Sequence, residues 1–186
     1  MGRKPMTPEQ RAKMRARILD AARDRFLAEG LGGLSMRGIA SKVGVSSMTL
    51  YLYYDSRHDI VRHIVAEGFR LLNEAVGSAE GKDGAARIPK MCDAYLKWAN
   101  DNPKYYAAMF NVATESLGGE PDPMLAEPTG QVMKMLEAAY AEGSKADASK
   151  KAAAAWAALH GLAMLSIGGQ LGQLNLAAKD VIGSLK

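Results

Sequence analysis

Residues 35–57, SMRGIASKVGVSSMTLYLYYDSR, constrain this chain more than any other stretch. Ser35 is a good N-cap, and Met36, Ile39, Ala40 and Val43 recur at the spacing of one helix face. Gly44 then interrupts the pattern, because glycine accepts a left-handed turn that an L-residue resists. Ser46 suits the cap of a second short helix, running to about Tyr53. Ala40 stands four residues before that glycine, where two closely crossing helices leave room only for a small side chain, and Val45 fills the space beneath the turn. The arrangement is that of a helix-turn-helix. Its second helix offers a polar N-terminal edge, Ser46, Ser47 and Thr49, where base edges lie when such a helix enters a major groove.

The remaining segments also read as helix. Strand signals are poor: there are few β-branched alternations and no Asn-Gly or Asp-Gly hairpin turn between apolar runs. A first helix is expected from about Pro8 to Gly30, with Ile18, Leu19, Ala22 and Phe26 on one stripe. Ser56-Arg57-His58-Asp59 has the capping-box pattern and opens a helix over 57–76. Residues 77–84 read as a loop. A helix follows from about Pro89 to Asn100. Asn102-Pro103 reads as N-cap and first helical position of the next, which carries Tyr105 to Val112. Residues 116–128, with two glycines and three prolines, read as a loop. Helices are expected over 129–142, over Ala148–Ile167 with a stop at Gly168-Gly169, and over 177–185. The expected fold class is all-α, with about nine helices.

Charge and cysteine usage narrow the function classes. Residues 1–62 hold 12 Lys and Arg against 6 Asp and Glu, whereas residues 63–186 hold 12 against 14. A basic first third is either a solvated face or the footprint of a polyanionic partner, and the helix-turn-helix favours the second. The single cysteine, Cys92, excludes an internal disulfide and any multi-cysteine metal site; on an apolar helical face it is expected to be buried and inert. No apolar run approaches the roughly 18 residues of a membrane helix, and the basic N-terminus lacks the apolar stretch of a signal peptide. The expectation is a soluble, cytoplasmic protein with no membrane partner. His58 and His63 lie in no metal-ligand spacing. No catalytic motif stands out, so no enzyme activity, catalytic residue, metal or cofactor is expected.

The segment Ile39-Ala40, Gly44-Val45-Ser46, Thr49-Leu50-Tyr51, Tyr54 and Arg57 resembles the TetR family of one-component bacterial transcriptional regulators. The resemblance covers roughly residues 10–65. It implies a DNA-binding domain over 1–56, with a basic N-terminal arm, and a helical ligand-binding and dimerisation domain over 57–186. It also implies DNA-contacting roles for Arg37, Ser46, Ser47, Met48, Thr49, Tyr51, Tyr53 and Arg57. Arg37 falls where the family often places a base or phosphate contact, and Tyr51 and Tyr53 where phosphates are commonly touched. Arg57 stands where the family usually has lysine at the start of the fourth helix; arginine keeps the charge and binds phosphate bidentately. Met48 replaces a small residue and offers an apolar contact to a thymine methyl. Tyr54 is expected in the core, and Leu52 either in the core or on the DNA. Arg3, Lys4, Arg11, Lys13, Arg15 and Arg17 would lie along phosphates or in the adjacent minor groove.

Residues 95–113 and 153–165 resemble a C-terminal subclass of that family marked by Trp-x-x-x-His-Gly, here Trp156, His160 and Gly161. This resemblance implies a homodimer built on the last two helices and a cavity between the middle ones. Met91, Tyr95, Trp98, Met109, Phe110, Met133, Leu136, Trp156, His160 and Met164 are the candidate ligand-binding residues. Methionine adapts to varied ligands, although the same residues equally make an ordinary core. His160 either bonds a ligand or serves a helix contact. The expected function is a homodimeric repressor, released from a pseudo-palindromic operator in double-stranded DNA by a small apolar effector. The alternative is an architectural or partner-binding DNA-binding protein without an effector.

Overall fold

Thr7 starts the first helix by a reciprocal cap. Its hydroxyl accepts from the Gln10 amide at 3.2 Å while the Gln10 side chain accepts from the Thr7 amide at 2.9 Å, satisfying two otherwise orphaned donors. In the computed structural model, which describes residues 6–112, 123–174 and 178–183, this helix is α1, Pro8–Glu29. The others are α2 (Met36–Val43), α3 (Ser47–Leu50), α4 (Arg57–Gly77), α5 (Gly84–Asp101), α6 (Pro103–Ala107), α7 (Pro123–Ala141), α8 (Ala148–Ile167) and α9 (Ala178–Gly183). The described residues contain no strand. The all-α expectation therefore holds.

The chain divides into two compact units, with the boundary between Ala66 and Glu67, inside α4. In the first unit α1 buries Ile18, Ala22 and Phe26, and α2 and α3 add Ile39, Ala40 and Leu50. Each large side chain so buried contributes about 1.5–3 kcal/mol. Ala40 is 2% exposed, as its place at the helix crossing requires. Gly44 has φ 79° and ψ 35°, and both its amide and that of Val45 donate to the Ala40 carbonyl, at 2.9 and 3.0 Å. Ser35 and Ser46 cap α2 and α3 through the Gly38 and Thr49 amides.

In the second unit α5 packs against both α7 and α8, and α7 against α8. Tyr95, Cys92, Leu136 and Leu159 are buried there. At Gly84, α5 comes close to α7: a Cβ at that position would stand 1.9 Å from the Ala139 carbonyl oxygen.

Several boundaries differ from expectation. The α5 helix begins at Gly84 rather than near Pro89, because Asp83 caps it by accepting from the Ala86 amide at 2.9 Å. Pro89 sits inside and forfeits one ladder bond, to the exposed Ala85, whose carbonyl can turn to water. Asn102 stands at the N-cap of α6 with Pro103 following, as expected, but its side chain makes no cap bond there; it donates to the Trp98 carbonyl at 2.9 Å, closing α5. A single π turn, Ala108–Val112, continues α6. Of the loop expected over 116–128, residues 116–122 lie outside the described residues, and 123–128 are helical, with Pro123 at the first position and Pro128 inside. The α3 helix closes at Leu50, and residues 51–53 continue as tight turns. The last helix ends at Gly183; of its expected range, 177 and 184–185 lie outside the described residues.

Candidate nucleic-acid interface and aromatic site

The helix-turn-helix edge is presented by α3 and the turns after it. Met48 is 75% exposed, Leu52 64% and Tyr51 49%. Arg37, in the first turn of α2, and Ser46 are exposed, and Ser47 and Thr49 are half-buried. The Ser46 hydroxyl accepts from the Thr49 amide at 3.2 Å and shares a 2.9 Å hydrogen bond with the Thr49 hydroxyl. Two of the expected base-reading groups are thus engaged with each other.

Two aromatic side chains turn inward. Tyr53 is 6% exposed and its hydroxyl donates to the Met6 sulfur at 3.1 Å. Tyr54 is buried and donates to the Arg15 carbonyl at 3.1 Å; burial pushes its phenol pKa up, with the Arg15 cation opposing. The guanidinium of Arg57 donates to the Leu34 and Leu31 carbonyls at 2.8 and 2.7 Å. It ties the start of α4 to the turn ahead of α2.

The same use of arginine recurs along α1. Arg11 donates to the Leu52 carbonyl at 2.7 Å, Arg15 to the Tyr53 carbonyl, and Arg17 to the Val43 carbonyl at 3.3 Å. These are the carbonyl-rich ends of α2 and of the α3 turns, where a cation is favourable. Arg15 also lies 4.3 Å from the centroid of the Tyr54 ring. Lys13 pairs with Glu9 at 2.8 Å and Lys42 with Asp24 at 2.9 Å. Part of the basic charge of the first unit therefore holds the helix-turn-helix in shape, a role invisible to charge counting. Arg3 and Lys4 lie outside the described residues.

The second unit gathers aromatic residues around His160. The Tyr95 and Tyr106 hydroxyls are 2.9 Å apart, and the Tyr106 hydroxyl is 2.7 Å from His160 Nδ1. Trp156 stacks on His160 with ring centroids 5.7 Å apart and planes 10° from parallel. Phe110 lies 4.5 Å from the imidazole and 4.7 Å from the Tyr106 ring. Burial holds His160 below the usual histidine pKa and pushes the Tyr95 phenol up to about 12, with the Tyr106 phenol raised as well. All three groups are thus neutral near pH 7. Tyr95 is fully buried, and among the described residues its hydroxyl has Tyr106 as hydrogen-bond partner. The two hydroxyls and Nδ1 form one hydrogen-bonded chain whose donor order follows the imidazole tautomer.

The structure thus brings together Tyr95, Phe110, Trp156 and His160 from the expected ligand residues. Met91, Met109 and Leu136 are buried. Trp98 is 9% exposed and pairs with Tyr105, ring centroids 6.5 Å apart. Met133 is half-buried, and Met164 is 43% exposed. Tyr106, the centre of the cluster, was not among the expected site residues. A cleft of about 360 Å³ opens between Arg70, Asn73 and Glu74 of α4 and Glu127, Gln131 and Met135 of α7. None of these was expected. Cys92 is fully buried, and burial raises its thiol to about 11. Among the described residues no group of His, Cys, Asp and Glu is placed to hold a metal ion, and no helix is long and apolar enough to cross a membrane.

Comparison with known proteins bears on both units. Residues 18–64 match the profile of bacterial regulatory proteins of the tetR family, and residues 88–182 match a tetracyclin repressor-like C-terminal domain. The uncharacterized HTH-type transcriptional regulator Rv0681 of Mycobacterium tuberculosis is 25% identical over 88% of this chain and 75% of its own length. Rv1255c, another uncharacterized HTH-type transcriptional regulator of that organism, is 35% identical over 56% of this chain and 52% of its own. A solved protein of unknown function from Rhodococcus sp. RHA1 shares the fold at TM-score 0.77 and 24% identity, over 92% of this chain and 90% of its own.

Proposed function

The chain belongs to the tetR family of bacterial regulatory proteins, and from that membership we propose that it is a homodimeric repressor released from its operator by a small apolar effector. The family is one of DNA-binding transcriptional regulators; the dimer, the repression and the effector are the proposal. Residues 1–56 are assigned to the operator and residues 57–186 to the effector and the second protomer. The protein acts in the cytoplasm. The subclass marked by Trp156, His160 and Gly161 is part of the same reading.

The observation that carries the reading is the pairing, in one chain, of two features. One is a helix-turn-helix edge with Met48, Tyr51 and Leu52 exposed. The other is a separate unit in which neutral polar groups lie among aromatic rings around His160. An apolar effector carrying one hydrogen-bonding group suits the second, where Nδ1 of His160 is taken by Tyr106 and Nε2 is the other ring nitrogen. Tyr51 contacts phosphate, and Arg37, Ser47 and Met48 face base edges. Ser46 and Thr49 stiffen that edge and Arg57 supplies charge at its rim. Met91, Met109, Met133 and Leu136 form the apolar surroundings of the effector.

Two-fold symmetry demands half-sites about 34–36 Å apart, or a multiple of that. Residues of α4 belong to both units, so a shift of this helix on effector binding changes the spacing of the two recognition edges. The effector must bind the non-operator conformation better, since only differential affinity moves the equilibrium. Exposed Ala153, Ala154, Ala157 and Met164 on α8 suit a close helix contact with a second copy. Sedimentation velocity tests the dimer: two chains free and two per duplex are expected, and a monomer at micromolar concentration contradicts it. Effector release is tested by reciprocity. A compound that quenches Trp156 must weaken operator binding, and one that binds without doing so refutes the release mechanism.

A further inference from the structure

Resting on the reading that this edge enters the major groove, we propose that the half-site is read through thymine methyl groups by Met48 and Leu52, with the recognition segment supplying no bidentate base contact. The segment Ser46–Tyr53, SSMTLYLY, contains no Arg, Lys, Asn, Gln, Asp or Glu. Those are the side chains that pair with the hydrogen-bonding edges of guanine, adenine and cytosine. The structure removes further candidates. Leu50 and Tyr53 are buried, and Ser46 and Thr49 hold each other. What remains outermost is apolar: Met48 at 75% exposure and Leu52 at 64%.

The two lie four residues apart and both are exposed, Met48 in α3 and Leu52 in the turns that follow it. That segment is held in place. The Arg11 guanidinium grips the Leu52 carbonyl at 2.7 Å, and Ser46 caps the turn ahead of Met48. Three of the seven large hydrophobic residues exposed among the described residues fall within positions 48–52, which is not how a merely solvated face is composed. The surrounding unit is basic, with 12 Lys and Arg against 6 Asp and Glu in residues 1–62, so the occupant of the apolar strip is a polyanion. DNA meets both demands, since in its major groove the apolar group is the C5-methyl of thymine. Sequence preference at these positions then comes from methyl burial, and Arg37 on α2, exposed and outside the segment, is able to pair with guanine.

The test uses deoxyuridine, which keeps every hydrogen-bonding group of thymine and lacks only the methyl. Duplexes enriched from a random pool by the full chain are resynthesised with each thymine replaced symmetrically in both half-sites. Burying one methyl is worth about three- to fourfold in affinity. Replacement at a contacted position is therefore expected to weaken binding roughly tenfold for the two half-sites together. Met48→Ala should abolish the loss at one position and Leu52→Ala at a neighbouring one; both residues are exposed, so the fold is expected to persist. Indifference to every replacement, with specific binding intact, overturns the proposal and leaves the regulator reading standing. Undiminished sensitivity at every position in both variants also overturns it. Failure to enrich any sequence removes both. The replacement series needs no protein variant, so the outcome does not hang on their folding.

Discussion

Replacing Tyr106 by phenylalanine removes one oxygen atom and two hydrogen bonds. The hydroxyl sits 2.9 Å from that of Tyr95 and 2.7 Å from His160 Nδ1. Without it the Tyr95 hydroxyl, on a fully buried side chain, keeps no partner among the described residues. A stranded buried hydroxyl costs about 1–3 kcal/mol, and the bond lost to His160 about 1 kcal/mol more. Tyr106→Phe should therefore destabilise by about 2–4 kcal/mol. Tyr95→Phe leaves Tyr106 bonded to His160 and should cost only about 0.5–1.5 kcal/mol. The informative case is the double variant. In the Tyr106→Phe background, Tyr95→Phe removes the stranded group, so it should now stabilise. The sign of one substitution reverses with the presence of the other, a coupling that only a shared network produces. Urea unfolding at fixed protein concentration, with the slope checked for constancy, measures all four forms. Equal destabilisation by Tyr95→Phe in both backgrounds would refute the hydrogen-bond chain.

The other expectations are briefer. Gly44→Ala meets no atom within 4 Å, so its cost is the left-handed backbone alone, φ 79° and ψ 35°. That is about 1–2 kcal/mol, and a neutral effect on the urea midpoint would contradict the turn geometry. Because burial lowers the His160 pKa, its contribution to stability is fully present above the unfolded value of about 6.5 and is lost as pH falls from there through the lowered folded value. The stability difference between the natural protein and His160→Gln should shrink between pH 7 and 5; growth on acidification would show a stabilised imidazolium instead. Cys92, with its thiol raised to about 11, should resist a thiol reagent at pH 8 until urea unfolds the chain. Rapid labelling of the native protein would contradict its burial.

Local signals were legible in the sequence, and tertiary ones were not. Ser35, Ala40, Gly44 and Ser46 announced the helix-turn-helix because each acts within four residues of itself: a cap, a small crossing side chain, a left-handed turn. The misplaced starts of α5 and α7 share one cause. Pro89 and Pro128 read as boundaries, yet each lies inside a helix. One lost ladder bond is tolerable when burial of Ile88, Cys92, Val132 and Leu136 on the same helices outweighs it. Tyr106 escaped notice because its partners are 11 and 54 residues away on other helices. The arginines hid a second role for the same reason. Arg11, Arg15 and Arg57 read as DNA contacts from charge and position, and their guanidiniums also reach carbonyls 23 to 41 residues distant. The inward turn of Tyr53 depends on α3 tightening after Leu50, a one-residue change in helical phase that periodicity does not resolve.

Selection of bound duplexes from a random pool, at two salt concentrations, decides whether the protein reads a DNA sequence. A pseudo-palindrome enriched at both, with affinity falling at higher salt as phosphate contacts weaken, is the predicted result. Salt-sensitive binding with no enriched sequence would contradict a sequence-specific regulator and leave an architectural DNA-binding protein in its place.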